Sequence, residues 1–331
     1  MRTLVTGGAG FIGCNYVRQL LTNSNDHRVR VFDKLTYAGS RDNLVDLEHD
    51  TRLEFVQGDI CDAAAVAAAL EDVQTVVHFA AETHVDRSIH SAEAAIRTNV
   101  EGTFRLLEAC RDRELHRFIH VATDEVYGSS AATRFTEESA LNPRNPYSAS
   151  KAGGDRLAYS YYVTYGLPVI ITRPTNTYGP YQYPEKLIPF FVLRALRDEH
   201  LPVYGDGQQV RDWLHVADHC RAVDLLIERG TVGEAYNIVG GNERQNMQVV
   251  RVILDELGKP ESLIKHVEDR PGHDIRYPLA DDKIKGLGWQ PTIEWEQGLR
   301  ETVRWFADHR DWLERSLERG REFMEQWYRG R

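Results

Sequence analysis

The sequence predicts an α/β fold: a doubly wound parallel sheet followed by a smaller, irregular α/β C-terminal domain. Three observations carry this. Short apolar runs alternate with amphipathic stretches through the first half. Two of those runs are apolar on both faces. A glycine-rich turn joins the first run to the first amphipathic stretch.

In chain order, the runs that read as strands cover residues 3–6, 29–33, 53–57, 75–79, 117–123 and 169–172. Amphipathic segments such as 64–70, 94–110 and 149–165 lie between most of them. Strands separated by helices form βαβ units and so a parallel sheet. Val76-Val77-His78-Phe79-Ala80 and Val169-Ile170-Ile171 suit central strands covered by helices on both sides. After Thr172 Pro and Gly become frequent (Pro174, Gly179, Pro180, Pro184, Pro189, Pro202, Gly205, Gly207), and the strands become short and isolated. Residues 295–328 read as helices rich in Trp, Glu and Arg. Two domains are expected, 1–173 and 174–331, with the chain crossing back between them.

The 331 residues can bury a sizeable core, and 42% hydrophobic with 27% charged content fits an ordinary globular protein. A formal charge of −10 argues against general nucleic-acid binding. No apolar run approaches the ~20 residues of a membrane span. The N-terminal residues run directly into the first strand, which leaves no room for a signal peptide, so a cytoplasmic location is the default expectation. Cys14, Cys61, Cys110 and Cys220 have no CxxC spacing and are expected as reduced, buried thiols.

Gly7, Gly10 and Gly13 follow the first strand and open a helix, with Phe11 and Ile12 between the last two. Glycines there permit a tight turn and let backbone N–H groups approach a pyrophosphate at the positive end of the helix. A lone glycine match would be an ordinary turn. Here Asp33 ends the second strand, twenty positions after Gly13. A carboxylate at that point accepts hydrogen bonds from ribose hydroxyls and repels a 2′-phosphate, which favours NAD over NADP. Lys34 works against that preference, since a cation tolerates a phosphate. Asp59 and Ile60 follow the third strand, and Phe79, Ala80 and Ala81 the fourth, where strand ends meet a ligand in open α/β sheets. The domain is therefore read as a Rossmann-like NAD site.

Tyr147 and Lys151 form Tyr-x-x-x-Lys at the start of a predicted helix, on one helical face. An ammonium beside a phenol is expected to lower the phenol's pKa, so that it can take a hydroxyl proton. Asp124 and Glu125 follow Thr123 at the end of the fifth strand. In a continuing strand they would point to opposite faces, so both reach one ligand only if the chain bends there. If both do, like charges in a desolvated site push their pKa values apart, leaving one acid and one base. His215 and His219 are four apart, but two imidazoles without converging ligands do not make a metal site, and no metal is expected.

The whole chain resembles the dTDP-glucose 4,6-dehydratases of the extended short-chain dehydrogenase/reductase family. The resemblance is carried by residues 33–39, 80–88, Thr123-Asp124-Glu125-Val126-Tyr127-Gly128, Tyr147 with Lys151, residues 183–189, Arg211-Asp212-Trp213 and residues 269–274. It implies a nucleotide-sugar substrate, bound NAD and a lyase reaction. Tyr147 would take the C4 hydroxyl proton as hydride leaves C4, Glu125 the C5 proton, and protonated Asp124 would release the C6 hydroxyl as water before hydride returns to C6. Thr123 would hydrogen-bond the sugar near C4. The resemblance adds Leu35, Thr36, Thr83, Thr98 and Thr177 to the cofactor positions. It assigns Lys186, Arg211, Asn246, Arg270 and His273 to diphosphate, base and ribose. It matches Thr83, Asn176, Leu187, Pro202, Val203, Tyr204, Asp269 and Tyr328 to other substrate positions. It also implies a homodimer through helices around 94–110 and 149–165, where Leu106, Leu107, Cys110, Tyr161, Tyr162 and Tyr165 serve core or subunit contact. One departure stands out: relatives usually carry two asparagines where this chain has Asn176-Thr177. Rival readings are a UDP-glucose 4,6-dehydratase, a UDP-glucuronate decarboxylase, a 4-epimerase, or a catalytically silent NAD-binding protein. An epimerase has no need of the Asp-Glu pair, and a silent protein has no chemical reason to keep all four reactive residues.

Overall fold

The computed structural model describes residues 1–130, 133–269 and 276–321. The first half runs β1 (Arg2–Thr6), α1 (Phe11–Asn23), β2 (Arg28–Asp33), β3 (Leu53–Gln57), α2 (Ala63–Ala69), β4 (Thr75–His78), α3 (Val85–His90), α4 (Glu93–Ile96), α5 (Thr103–Cys110), β5 (Arg117–Val121), α6 (Pro146–Tyr165) and β6 (Val169–Pro174). The second half runs β7 (Asn176–Tyr178), α7 (Leu187–Leu196), β8 (Leu201–Tyr204), β9 (Val210–His215), α8 (Val216–Arg229), β10 (Ala235–Ile238), β11 (Glu243–Gln245), α9 (Asn246–Glu256), β12 (Ile264–Val267), α10 (Asp282–Gly286), α11 (Trp295–Asp308) and α12 (Arg310–Glu318).

Seven parallel strands form the main sheet in the order β10-β6-β5-β4-β1-β2-β3. The chain grows outward from β1 to β3, then returns to place β4, β5 and β6 on the other side. That reversal opens a crevice at the carboxyl ends of β1 and β4. Both faces of the sheet are covered, which explains the unbroken apolar runs. Val5, Val77, Ile119 and Ile170 pack against α1 and α8, while Leu4, Val76, Phe118 and Val169 pack against α2, α5 and α6. Each such side chain taken from water is worth about 1.5–3 kcal/mol. The predicted helix over 94–110 is one rod containing a π-helical turn at Arg97–Gly102.

The second half returns to the first. β10 adds the edge strand beside β6, and Val223, Leu226, Tyr236, Ile284 and Trp289 join the core beneath the main sheet. The short strands after Thr172 are not isolated: β7 and β11 flank β9, and β12 pairs with β8. These small sheets and α7, α9 and α11 enclose a second core around Phe191, Ile253, Trp295 and Phe306.

Cys14, Cys110 and Cys220 are buried thiols, whereas Cys61 is only half-buried, its Sγ donating to the Arg97 carbonyl. The stripe read on the two long helices divides. Leu106, Leu107, Cys110 and Tyr161 belong to the core, while the outward face carries Ile96, Phe104, Tyr159, Val163 and Tyr165. Among the described residues no helix is long and apolar enough to cross a membrane.

Candidate active site

The crevice is lined on one side by the glycine turn. Gly7 has φ 69°, and a Cβ there would lie 2.6 Å from the Ala80 nitrogen. A Cβ on Gly13 would lie 2.2 Å from the Gly7 carbonyl oxygen. Only glycine lets the turn, the end of β4 and the start of α1 approach this closely. α1 begins with no side-chain cap and no acid in its first turn. Its unsatisfied N–H groups and positive dipole end therefore face the crevice, a fit for a pyrophosphate. Asp33 is buried at the end of β2, where Oδ2 accepts from Ala9 N at 2.9 Å and Oδ1 from Leu35 N at 2.8 Å. Lys34 Nζ pairs with Asp59 Oδ2 at 2.7 Å, so this cation already has a partner.

Gly7, Gly10, Phe11, Ile12, Gly13, Asp33, Lys34, Thr36, Asp59, Ile60, Phe79, Ala80, Ala81, Thr83, Thr98 and Thr177 all line this one crevice. Leu35 does not. With φ 59° it packs against the core, and only its backbone serves the site, through Asp33. Thr177 faces the crevice, but its hydroxyl also meets His219 Nδ1 at 3.1 Å. The neighbouring His215 caps α8, its Nδ1 accepting from Ala217 N at 3.2 Å.

On the other side, β5 stops at Val121 and the backbone bends. Thr123 caps a 3₁₀ turn over Asp124–Tyr127: its hydroxyl accepts from Glu125 N at 3.4 Å and donates to Asp124 Oδ1 at 3.1 Å. The bend brings Thr123, Asp124 and Glu125 together on the crevice wall with Tyr147 and Lys151. Asp124 is buried. Burial, then the charge of Glu125, push its carboxyl well above the usual carboxylate range, against a pull from Arg211. A carboxyl biased toward its protonated form beside a second carboxylate pairs an acid with a base.

That shift has a consequence for stability. The folded pKa lies above the unfolded one, so the folded state prefers the protonated form. The associated stability is present at low pH and lost as pH rises through the folded value. Asp124→Asn, which stays neutral, should therefore melt at a higher temperature than the wild type at neutral pH, with the gap closing toward about pH 4. Thermal melts across pH check this; a gap that does not narrow on acidification would contradict it.

Tyr147 and Lys151 sit in the first turns of α6. Asn145 caps this helix by accepting from Ser148 N at 2.9 Å, and Pro146 opens it. Asn145 Nδ2 also donates to Glu125 Oε2 at 3.4 Å, tying the carboxylate to the helix that carries the phenol. Ser88 Oγ accepts from Tyr147 N at 3.1 Å. The expected effect of the ammonium on the phenol takes a different form here. Lys151 Nζ donates to the Val121 carbonyl at 2.6 Å, and burial draws the ammonium down to about 8. The Tyr147 phenol is pushed up, first by burial and then by Glu125 and Asp124, with the Thr123 hydroxyl opposing. Desolvation first, and then the two carboxylates, outweigh the Thr123 hydroxyl, while Lys151 is turned toward a strand carbonyl.

Buried Arg173 braces the two carriers. Its Nε and Nη2 grip Asp155 of α6 at 2.8 and 3.1 Å, and its Nη1 donates to the Tyr127 hydroxyl at 2.7 Å. Nothing in the spacing of the sequence marks Arg173 or Gln182, and Tyr183 opens the run 183–189 without a role of its own; Gln182 and Tyr183 line the crevice, and Gln182 Oε1 and the Tyr183 hydroxyl are buried with no hydrogen-bond partner among the described residues. Asn145 was also missed, although an Asn-Pro pair before a helical pattern is a helix-start signal.

Of the substrate positions, Thr83, Thr123, Asn176 and Lys186 line the crevice, with Lys186 Nζ donating to the Thr83 carbonyl at 2.7 Å. Leu187, Pro202, Val203, Tyr204, Arg211, Asn246 and Asp269 do not line it; they sit on α7, β8, β9, the start of α9 and the segment after β12. Val203 is buried in the second core. The Tyr204 hydroxyl is 3.5 Å from Asp86 Oδ2. Arg211 stacks over Tyr277 at 4.8 Å. Asp269 accepts from Gln209 Nε2 at 3.1 Å. The Asn246 Oδ1 is buried without a hydrogen-bond partner among the described residues. Arg270, His273 and Tyr328 lie outside the described residues.

Residues 4–302 match the model of the family described as GDP-mannose 4,6 dehydratase. The chain belongs to that family. Within the GDP-mannose 4,6 dehydratase family it is 49% identical to a dTDP-glucose 4,6-dehydratase of Streptomyces niveus, over 95% of each chain. It is 51% identical to the low-salt glycan biosynthesis protein Agl12 of Haloferax volcanii, over 92% of this chain and 98% of that one. A crystal structure of DesIV, a dTDP-glucose 4,6-dehydratase from Streptomyces venezuelae with NAD bound, superposes with a TM-score of 0.93 at 51% identity. That match covers 96% of this chain and all of the other.

Proposed function

We propose that this chain is an NAD-dependent dTDP-glucose 4,6-dehydratase, a hydro-lyase that forms the 4-keto-6-deoxy sugar nucleotide. One observation carries the reading. The bend at Thr123 brings Asp124 and Glu125 into the crevice that holds Tyr147, Lys151 and the glycine turn. Redox at C4 alone needs only the phenol, the lysine and the cofactor; an acid and a base side by side are needed to remove water.

NAD, held along the glycine turn and Asp33, supplies a hydride acceptor that is restored within each turnover. The chain's own groups move the protons. Tyr147 takes the C4 hydroxyl proton, and Thr123 orients that hydroxyl. Glu125 takes the C5 proton, which the new C4 carbonyl makes acidic. Asp124 gives its proton to the C6 hydroxyl, which departs as water. C5 then regains a proton and C6 a hydride, so the net change is loss of one water. Lys186 and Arg211 serve the diphosphate, since cationic donors suit it. Asn176, on the crevice wall, serves the sugar, while Leu187, Pro202, Val203, Tyr204, Asn246 and Asp269, with Arg270, His273 and Tyr328, are assigned to the sugar and nucleoside by the family resemblance. Residues 1–173 serve as the cofactor domain and 174–331 as the substrate domain, with the chain crossing back between them where α8 and β10 join the first.

Incubation with dTDP-glucose and NAD in deuterated water should give the 4-keto-6-deoxy product carrying deuterium at C5. Intact substrate would overturn the reading, and a parallel incubation with UDP-glucose tests the base. The protein acts as a cytoplasmic homodimer in this reading. Ile96 and Val163, 48% and 61% exposed, lie on the outward face of the two long helices. Ile96→Glu with Val163→Glu should give a monomer by light scattering, and an unchanged dimer would exclude this face.

A further inference from the structure

We infer that helix α12 retains NAD from behind, through a hydrogen-bond relay from the Trp312 indole to the Asn43 carboxamide to the glycine turn. The inference rests on the cofactor reading above. Trp312 Nε1 donates to Asn43 Oδ1 at 2.8 Å, across 269 positions of sequence. Asn43 is buried in a 3₁₀ turn at Arg41–Leu47, and its Nδ2 donates to the Ala9 carbonyl at 2.8 Å. Ala9 sits inside the glycine turn, and its N–H holds Asp33 Oδ2 at 2.9 Å. One carboxamide therefore couples the C-terminal helix to the backbone placed for the pyrophosphate and to the carboxylate placed for the ribose.

Further contacts run the same way. Arg319, just past α12, donates from Nε to the Tyr37 carbonyl and from Nη1 to Ser40 Oγ, both at 3.3 Å. These lie on the loop whose Thr36, Ala38 and Gly39 line the crevice. The helix and the residues just after it also meet the loop 181–183, of which Gln182 and Tyr183 line the crevice. Trp312 meets Tyr181 edge-on at 5.8 Å, and Gly320 approaches Tyr183 so closely that a Cβ would lie 2.5 Å from the phenol oxygen. α12 thus bridges the cofactor loop and the substrate-side loop without lining the crevice. A dinucleotide leaving the cradle must loosen the loop that α12 pins. Because the reaction restores NAD each cycle, slow release does not slow turnover. Trp312 and Asn43 act through backbone and are positioning residues.

The test measures NAD release from the loaded full-length protein by stopped flow, chased with excess ADP-ribose. Trp312→Phe keeps the ring and removes the donor. It should speed release about three- to tenfold, the effect of one lost buried hydrogen bond, and raise KM for NAD rather than lower kcat. Trp305→Phe perturbs the same aromatic cluster, since Trp305 packs on Tyr181 at 4.6 Å and on Trp312 at 5.4 Å, and it should leave release unchanged. In an Asn43→Ala background Trp312→Phe should add nothing further. Wild-type release from Trp312→Phe, or equal acceleration by Trp305→Phe, overturns the relay. If Asn43→Ala does not fold, the comparison of the two tryptophan variants decides alone. Failure of the wild type to bind NAD would overturn the cofactor reading instead.

Discussion

Tyr147→Phe is expected to lower turnover of dTDP-glucose about 10²–10⁴-fold, the usual worth of a positioned proton acceptor. The phenol is buried on the capped first turn of α6 beside Thr123, and the aromatic ring remains in the variant. Its removal takes away one oxygen and little packing. NAD content of the purified variant should match the wild type, and the melting temperature should change little. Because burial and the two carboxylates hold the proton on this phenol, the initial oxidation should speed up as pH rises toward its apparent pKa. Lys151→Met removes the cation one turn along the same helical face and should move that rising limb to still higher pH. A Tyr147→Phe variant within tenfold of wild type would remove the phenol from the chemistry.

Glu125→Gln should stop the reaction at a different point. C4 oxidation proceeds, C5 deprotonation does not, and reduced nicotinamide accumulates, visible in near-ultraviolet absorbance after a single turnover. Product formation should fall about 10²–10⁴-fold. Asp124→Asn should slow water loss more than oxidation, because the buried carboxyl whose surroundings favour its protonated form is replaced by an amide that cannot supply the proton. Equal loss of both phases in either variant would sink the division of labour between the two carboxylates. The same Asp124→Asn protein should be the more heat-stable one at neutral pH, so the lost function and the gained stability come from one desolvated carboxyl.

Much of this was legible from the chain. The alternation of runs between Thr3 and Thr172 specified the parallel sheet, because a strand covered on both faces must be apolar on both. Val5 and Leu4 feed opposite cores from adjacent positions. Gly7, Gly10 and Gly13 and the acid at Asp33 lie within one βαβ unit, so their spacing reports their geometry. Tyr147 and Lys151 share a helical face for the same local reason. Asn145 carried a local signal, an Asn-Pro helix start, that went unread, and its bond to Glu125 left no signal at all.

Contacts between distant segments left no such trace. The sequence could say that Asp124 and Glu125 meet one ligand only if the chain bends. The bend itself depends on the Thr123 cap and on Arg173, which holds Tyr127 and α6 from another strand. Lys151 donates to a carbonyl on β5, thirty residues away, which the Tyr-x-x-x-Lys spacing does not reveal. β10 joins the first sheet from the second half, and Trp312 reaches Asn43 across most of the chain. Periodicity and spacing encode what lies within a few residues along a helix or strand. Burial, pKa and the brace behind the cofactor loop follow from which remote surfaces pack together, and that is settled only when the chain closes on itself.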